Sequence, residues 1–113
     1  MDISERAVGT ATVVAVKGDI TLNKGADVQL KDKIQSLLQQ GKTKLVLDLG
    51  GVSYVDSAGL GQLVQLHATT MHHGGTLKLL NLTKRLNDLL VVTRLSTVFD
   101  TYDTEAEALE SLK

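Results

Sequence analysis

Between Lys44 and Met71 the apolar residues change their spacing once, and that change restricts the chain to a narrow set of folds. "KLVLDLG" carries Leu45, Val46, Leu47 and Leu49 almost without interruption, the pattern of a strand covered on both faces, as central parallel strands usually are. A second apolar run, "VSYV", follows directly. From Ala58 the period lengthens to Leu60, Leu63, Val64, Ala68 and Met71, one stripe of a helix that "HHGG" terminates. A strand that runs straight into an amphipathic helix is the first half of a βαβ unit, and the rest of the chain supplies more of the same.

Val8 and the alternating Ala11, Val13 and Ala15 flank Gly9 and Thr10, which predicts an antiparallel hairpin with a tight turn. "ADVQLKDKIQSLLQQG" sets Leu30, Ile34, Leu37 and Leu38 at helical spacing, with Gly41 as the stop. "TLKLLNL" reads as a strand, Thr83 caps a helix bearing Leu86, Leu89 and Leu90, and "TVFDTY" reads as a short strand. Thr104 and Glu107 stand at capping-box spacing before "AEALESL", which predicts a final helix. The order β-β-α-β-α-β-α-β-α implies an α/β fold with right-handed crossovers: a mixed, mostly parallel sheet of four to five strands, about four helices and an N-terminal β-hairpin. With 113 residues, no proline and no repeat or low-complexity tract, residues 1–113 are expected to form one domain.

Composition narrows the function. Twelve Lys and Arg against thirteen Asp and Glu leave a net charge of -1, so no global field draws the chain to nucleic acid or to an acidic membrane. One Phe, two Tyr and no Trp offer few platforms for stacking bases. The lack of cysteine removes disulfides, thiolate chemistry and Cys-based zinc sites together. "MDISERAVGT" has no basic segment followed by an apolar stretch, and no later run reaches the length of a membrane span, so a cytoplasmic location without membrane insertion is expected. "NLT" at Asn81 to Thr83 fits a glycosylation sequon, but reads better as a loop ending in a helix cap.

The joint between strand and helix, "VDSAG", concentrates the chemistry. In open α/β sheets ligands gather beyond the carboxyl ends of the strands. Ser57 falls at the N-cap or first turn of the helix, where backbone N–H groups lack intrahelical partners and the macrodipole is positive. Ser, Asp and Gly are also ordinary helix-start residues. Gly59 and Gly61, however, each cost about 1 kcal/mol relative to Ala inside a helix, which calls for a close approach by a partner, a phosphate or the sheet itself.

"LVLDLGGVSYVDSAGLGQLVQL" resembles the central signature of the STAS domain, and particularly of bacterial anti-sigma factor antagonists, where Asp-Ser-[Ser/Ala]-Gly-[Leu/Ile] follows the third strand. The likeness extends to "VKGDIT" and to the closing "FDTYDTEAEAL". The resemblance implies that Ser57 is the phosphoacceptor of an anti-sigma factor that is also a serine/threonine kinase, that the unphosphorylated form binds this partner and releases a sigma factor, and that a PP2C-type phosphatase restores it. It further implies supporting roles for Asp56, Ala58, Gly59 and Gly61, and partner contacts from Asp19, Thr21, Asn23 and Leu60. Asp56 is expected first to bond backbone donors at the joint, and second to position the serine hydroxyl. Leu60 has two readings, the buried stripe or a partner contact. Where the family often has Asp, two residues after the early acid, this chain has Thr21, whose oxygen keeps a hydrogen-bonding group, and "TLN" is a candidate cap for the first helix. A phosphate on Ser57 adds about -1.5 to -2 charges to the contact surface beside Asp56.

Other chemistries fit less well. A serine hydrolase acting through Ser57 needs a base within reach, yet His67 lies roughly 15 Å along the same helix, and Val55 breaks the Gly-x-Ser-x-Gly elbow. His67, His72 and His73 lack the i, i+4 pairing of a helical zinc site and read as a solvated helix end; no metal or cofactor is expected. "GKT" at Gly41 lacks the earlier glycine of a phosphate loop, and Val64 replaces the third glycine of a dinucleotide fingerprint. The alternative function within the same fold is a docking subunit of a transporter, such as a lipid-transport ABC complex. The oligomeric state is left open.

Overall fold

The computed structural model describes residues 2–21 and 26–113. β1 (Asp2–Val8) and β2 (Ala11–Ile20) form the expected hairpin, with Val8 opposite Ala11 and Gly9 at φ 62° in the two-residue turn. α1 (Ala26–Gln39) buries Leu30, Ile34, Leu37 and Leu38. Its end closes as the sequence predicts: Gly41 takes φ 82°, its N–H donates to Leu38 O, and Lys42 N–H reaches back to Leu37 O, a pairing that satisfies two carbonyls the helix leaves open.

β3 (Lys44–Val55) is one strand of 12 residues, joining the two apolar runs through Gly50 and Gly51. A Cβ on Gly51 would meet Lys17 Cγ at 2.7 Å and Val16 O at 3.0 Å, so only glycine lets β2 and β3 stay paired there. Their register slips twice. Ala15 faces Asp48 but Lys17 faces Gly51, and Gly18 faces Val52 but Ile20 faces Val55; at each step β3 spends one residue more than β2, the signature of a bulge that bends a strand.

α2 (Ser57–His72), β4 (Thr76–Leu80), α3 (Lys84–Val92), β5 (Thr101–Tyr102) and α4 (Glu105–Ser111) complete the chain. The sheet runs β1-β2-β3-β4-β5, antiparallel in its first pair and parallel in the others. Thr83 caps α3 by accepting from Leu86 N–H at 3.2 Å, so "NLT" is indeed a loop ending in a cap. Thr104 accepts from Glu107 N–H at 3.2 Å and donates to Glu107 Oε1 at 2.9 Å, starting α4.

Three sequence expectations need correction. "TVFDTY" is a strand only at Thr101–Tyr102; Val98 and Phe99 lie in the preceding turn, where Phe99 is drawn into the core at 4% exposure. The buried stripe of α2 is Leu60, Leu63, Leu66 and Thr70, whereas Ala68 and Met71 face outward. Thr70 is tolerated inside because its hydroxyl donates to Leu66 O at 2.8 Å. The histidines do not all form a solvated helix end, since the half-buried His67 packs edge-on against Phe99 with ring centroids 5.3 Å apart.

Alternation along the strands splits the core. Val14, Val16, Leu45, Leu47 and Leu49 join α1, α2 and α3 in the larger cluster, while Ala11, Val13, Val46 and Leu80 meet Ala108 of α4 and Leu112 at its C-cap in the smaller one. Three helices therefore cover one face of the sheet and α4 part of the other.

Candidate functional site at the β3–α2 joint

β2 and β3 end together. Ile20 pairs with Val55, and the Ile20 carbonyl accepts the Asp56 N–H at 3.4 Å. Asp56 is the N-cap of α2, with extended backbone (φ -85°, ψ 179°) and a carboxylate oxygen accepting from Gly59 N–H at 2.6 Å. This is the first of the two roles expected for it. Such a cap satisfies a donor the helix cannot satisfy itself, and its negative charge suits the positive end of the dipole.

Ser57 is consequently the first helical residue, not the cap, and it is exposed, as is Ala58. Two positions on, Gly59 takes the inward, buried position. A Cβ on Gly59 would overlap the Ile20 carbonyl oxygen and come within 2.9 Å of its carbon. Gly61 behaves differently: nothing stands within 4 Å of a Cβ built there, and the residue is exposed. The close approach anticipated for both glycines is thus internal at Gly59, and Gly61 faces open space.

Leu60 is 6% exposed and belongs to the larger core cluster, the position its buried-stripe reading describes. Asp19 and Thr21 flank Ile20 and are half-buried; the pairing of Ile20 with Val55 brings the "GDIT" stretch to the joint. Thr21 Oγ1 is buried without a hydrogen-bond partner. Asn23 and the "TLN" cap lie outside the described residues. His67 packs edge-on against Phe99, and its Nδ1 has no hydrogen-bond partner. Among the described residues no group of three or more His, Cys, Asp or Glu gathers as a metal site, and no helix is long and apolar enough to cross a membrane.

Sequence reasoning passed over the exposed part of β3. Tyr54 is 47% exposed and Ser53 is exposed, beside a narrow cleft formed with Thr83, Arg85, Leu86 and Leu89. The signal was present in "GGVSYV", whose apolar residues fall at intervals of three because of the bulges, breaking the simple alternation of a strand.

A five-stranded mixed sheet with an N-terminal hairpin, carrying an exposed serine on the first turn of the helix after β3, defines the class as a STAS-type fold. The chain belongs to the STAS domain family, in its anti-sigma factor antagonist group: the family model described as "Mlab, STAS domain" matches residues 3–100. The anti-sigma-B factor antagonist of Bacillus subtilis is 36% identical over 90 residues, covering 74% of this chain and 82% of that protein. Among solved structures, an anti-sigma factor antagonist from Mycobacterium paratuberculosis superposes with a TM-score of 0.84 at 22% identity, over 98% of this chain and 92% of that one. The Bacillus cell fate determinant SpoIIAA in its phosphorylated form gives 0.73 at 21% identity, over 99% and 100%. At these identities the structural matches speak for the fold.

Proposed function

We propose that this protein is a partner-switching antagonist: unphosphorylated, it binds an anti-sigma factor and frees a sigma factor; phosphorylated on Ser57 by that anti-sigma factor acting as a kinase, it lets go. A PP2C-type phosphatase reverses the modification, and the exchange takes place in the cytoplasm. The observation that carries this reading is an exposed Ser57 at the first position of α2, with the Asp56 carboxylate already engaged by Gly59 N–H. The cap and the acceptor are separate residues, so a phosphate can be added without removing the bond that starts the helix.

The electrostatics favour a local switch. A phosphate at a helix N-terminus meets backbone donors and the positive end of the dipole, so the domain tolerates it. A partner surface fitted to a hydroxyl and to Ala58 meets two added charges and loses contact. Kinase and ATP come from the partner, and Asp19 and Thr21, beside the joint, extend the contact face.

Incubation with the cognate anti-sigma kinase, ATP and Mg²⁺, followed by mass spectrometry, is expected to place one phosphate on Ser57; equal labelling of Ser57→Ala would move the site elsewhere. In pull-downs the Ser57→Asp protein is expected to lose an anti-sigma factor that wild type and Ser57→Ala retain. If all three retain it, phosphorylation is not the switch, and the same face serves as a constitutive docking surface, as in a transporter subunit.

A further inference from the structure

The two outer strands of the sheet are unequal: β5 has two residues and β1 has seven. β1 bonds to β2 on its inner side, and among the described residues no other backbone bonds to it. Ser4, Glu5, Arg6 and Ala7 are exposed in succession. Since neighbouring side chains point to opposite faces of a sheet, the edge is open from both.

Charge usually keeps such an edge from pairing. Here most of it is neutralised from the flanks. Glu5 is engaged by Lys33 at 2.9 Å and Lys42 at 3.9 Å, and Arg6 by Glu105 through two guanidinium nitrogens. Asp2 is exposed and makes no ion pair among the described residues.

The backbone then restricts what could be added. Val8 and Ala11 flank the two-residue turn and so form a hydrogen-bonded pair. By alternation Asp2, Ser4, Arg6 and Val8 direct their N–H and C=O to β2, while Ile3, Glu5 and Ala7 direct theirs outward. An antiparallel second copy must set outward residues against outward residues, and two-fold symmetry centres the pairing on one residue. Centring on Glu5 or on Arg6 sets that residue against itself, like charges directly opposite, which is destabilising. Centring on Ile3 or Ala7 shortens the overlap within β1 to residues 2–4 or 6–8. Centring on Ser4 aligns residues 2–6, pairs Ile3 with Glu5, and places each Asp2 opposite an Arg6.

We infer that β1 pairs antiparallel with β1 of a second copy, centred on Ser4, so that two sheets become one across a two-fold axis. Main-chain bonds between Ile3 and Glu5 supply the pairing, and the two Asp2–Arg6 contacts select the register. The guanidinium has donors left beyond the two on Glu105, so Arg6 can hold both carboxylates. The paired stretch is short compared with the surface of a stable interface, and the dimer is therefore reversible and concentration-dependent.

Sedimentation equilibrium over a concentration series on the full chain, combined with cysteine cross-linking, tests this. The chain has no cysteine, so an introduced one reports only on itself. Residues opposite in a non-hydrogen-bonded pair have Cα atoms about 4.5 Å apart, within disulfide range. Ser4→Cys is expected to form a disulfide dimer under mild oxidation and Glu5→Cys to remain monomeric. Asp2→Arg should weaken association at least tenfold, and Asp2→Arg combined with Arg6→Asp should restore it, each compared at an unchanged circular dichroism spectrum. A wild-type protein that stays monomeric throughout the series, equal or preferred cross-linking of Glu5→Cys, or association indifferent to Asp2→Arg would each overturn the inference. No kinase or anti-sigma factor is used, so failure here leaves the phosphorylation reading to its own test.

Discussion

The Ile20 carbonyl oxygen lies where a Cβ of residue 59 would have to be. The end of β2 and the first turn of α2 therefore touch backbone to backbone. Gly59→Ala forces the helix off the strand, and we expect a loss of about 1–3 kcal/mol, the usual range for overpacking a tight interior. Gly61→Ala, with open space around it, should instead gain up to about 1 kcal/mol from helix propensity. Urea denaturation of the two variants side by side checks both signs.

Asp56→Ala removes the acceptor of the Gly59 N–H. A loss of about 0.5–2 kcal/mol is expected, and Asp56→Asn should recover most of it because asparagine caps as well as aspartate. Thermal melts of the three proteins suffice. Equal melting of Ala and Asn variants would mean that charge, not capping, is what Asp56 contributes.

Ser57→Asp places an acid at the first helical position, where the dipole favours it by about 0.3–1 kcal/mol. The variant should melt at or slightly above wild type. Loss of partner binding by this protein can then be assigned to the surface rather than to unfolding, and a clearly lowered melting temperature would remove that inference.

Leu60→Ala should cost about 2–5 kcal/mol, as for other large-to-small changes in a core, because Leu60 is 6% exposed among Val55, Leu63 and the rest of the larger cluster. A stability change near zero, with partner affinity lost, would return Leu60 to the docking surface. Equilibrium unfolding and a binding assay on the same preparation separate the two.

Glu5 carries the clearest pH signature. The hydrogen bond from Lys33, at 2.9 Å, together with the positive charges of Lys33 and Lys42, holds its carboxyl below the usual glutamate range against a smaller opposing effect of desolvation. A folded-state pKa below the unfolded one means that the stabilisation is present above the ordinary carboxylate range and is lost as pH falls through the lowered value. Glu5→Gln should therefore flatten the acid limb of a stability-against-pH curve and leave its shape near neutrality unchanged; an identical acid limb would show that the pair contributes nothing.

How far the site was legible from the residues depended on where its determinants sit in the chain. Asp56 as a cap is a local matter, three residues from the N–H it binds, and cap chemistry can be read from one turn of sequence. The glycines could not be separated in that way, because what confronts Gly59 is Ile20, much earlier in the chain, and what confronts Gly61 is nothing. Leu60 was ambiguous for the same reason. The drift of the α2 stripe to Leu66 and Thr70 reflects a polar residue made acceptable by its own helix, which hydrophobicity alone does not register.

Strands, helices, their order and most of their ends were determined by the sequence itself, since period, capping residues and stop glycines act over a turn or less. The tertiary structure alone decided that three helices share one face while α4 takes part of the other, that β3 outruns β4, and that two bulges re-aim its residues. Those outcomes depend on strand pairings between distant segments. A one-residue offset in such a pairing exchanges buried for exposed positions, and the pattern within one strand does not say which distant segment it will meet.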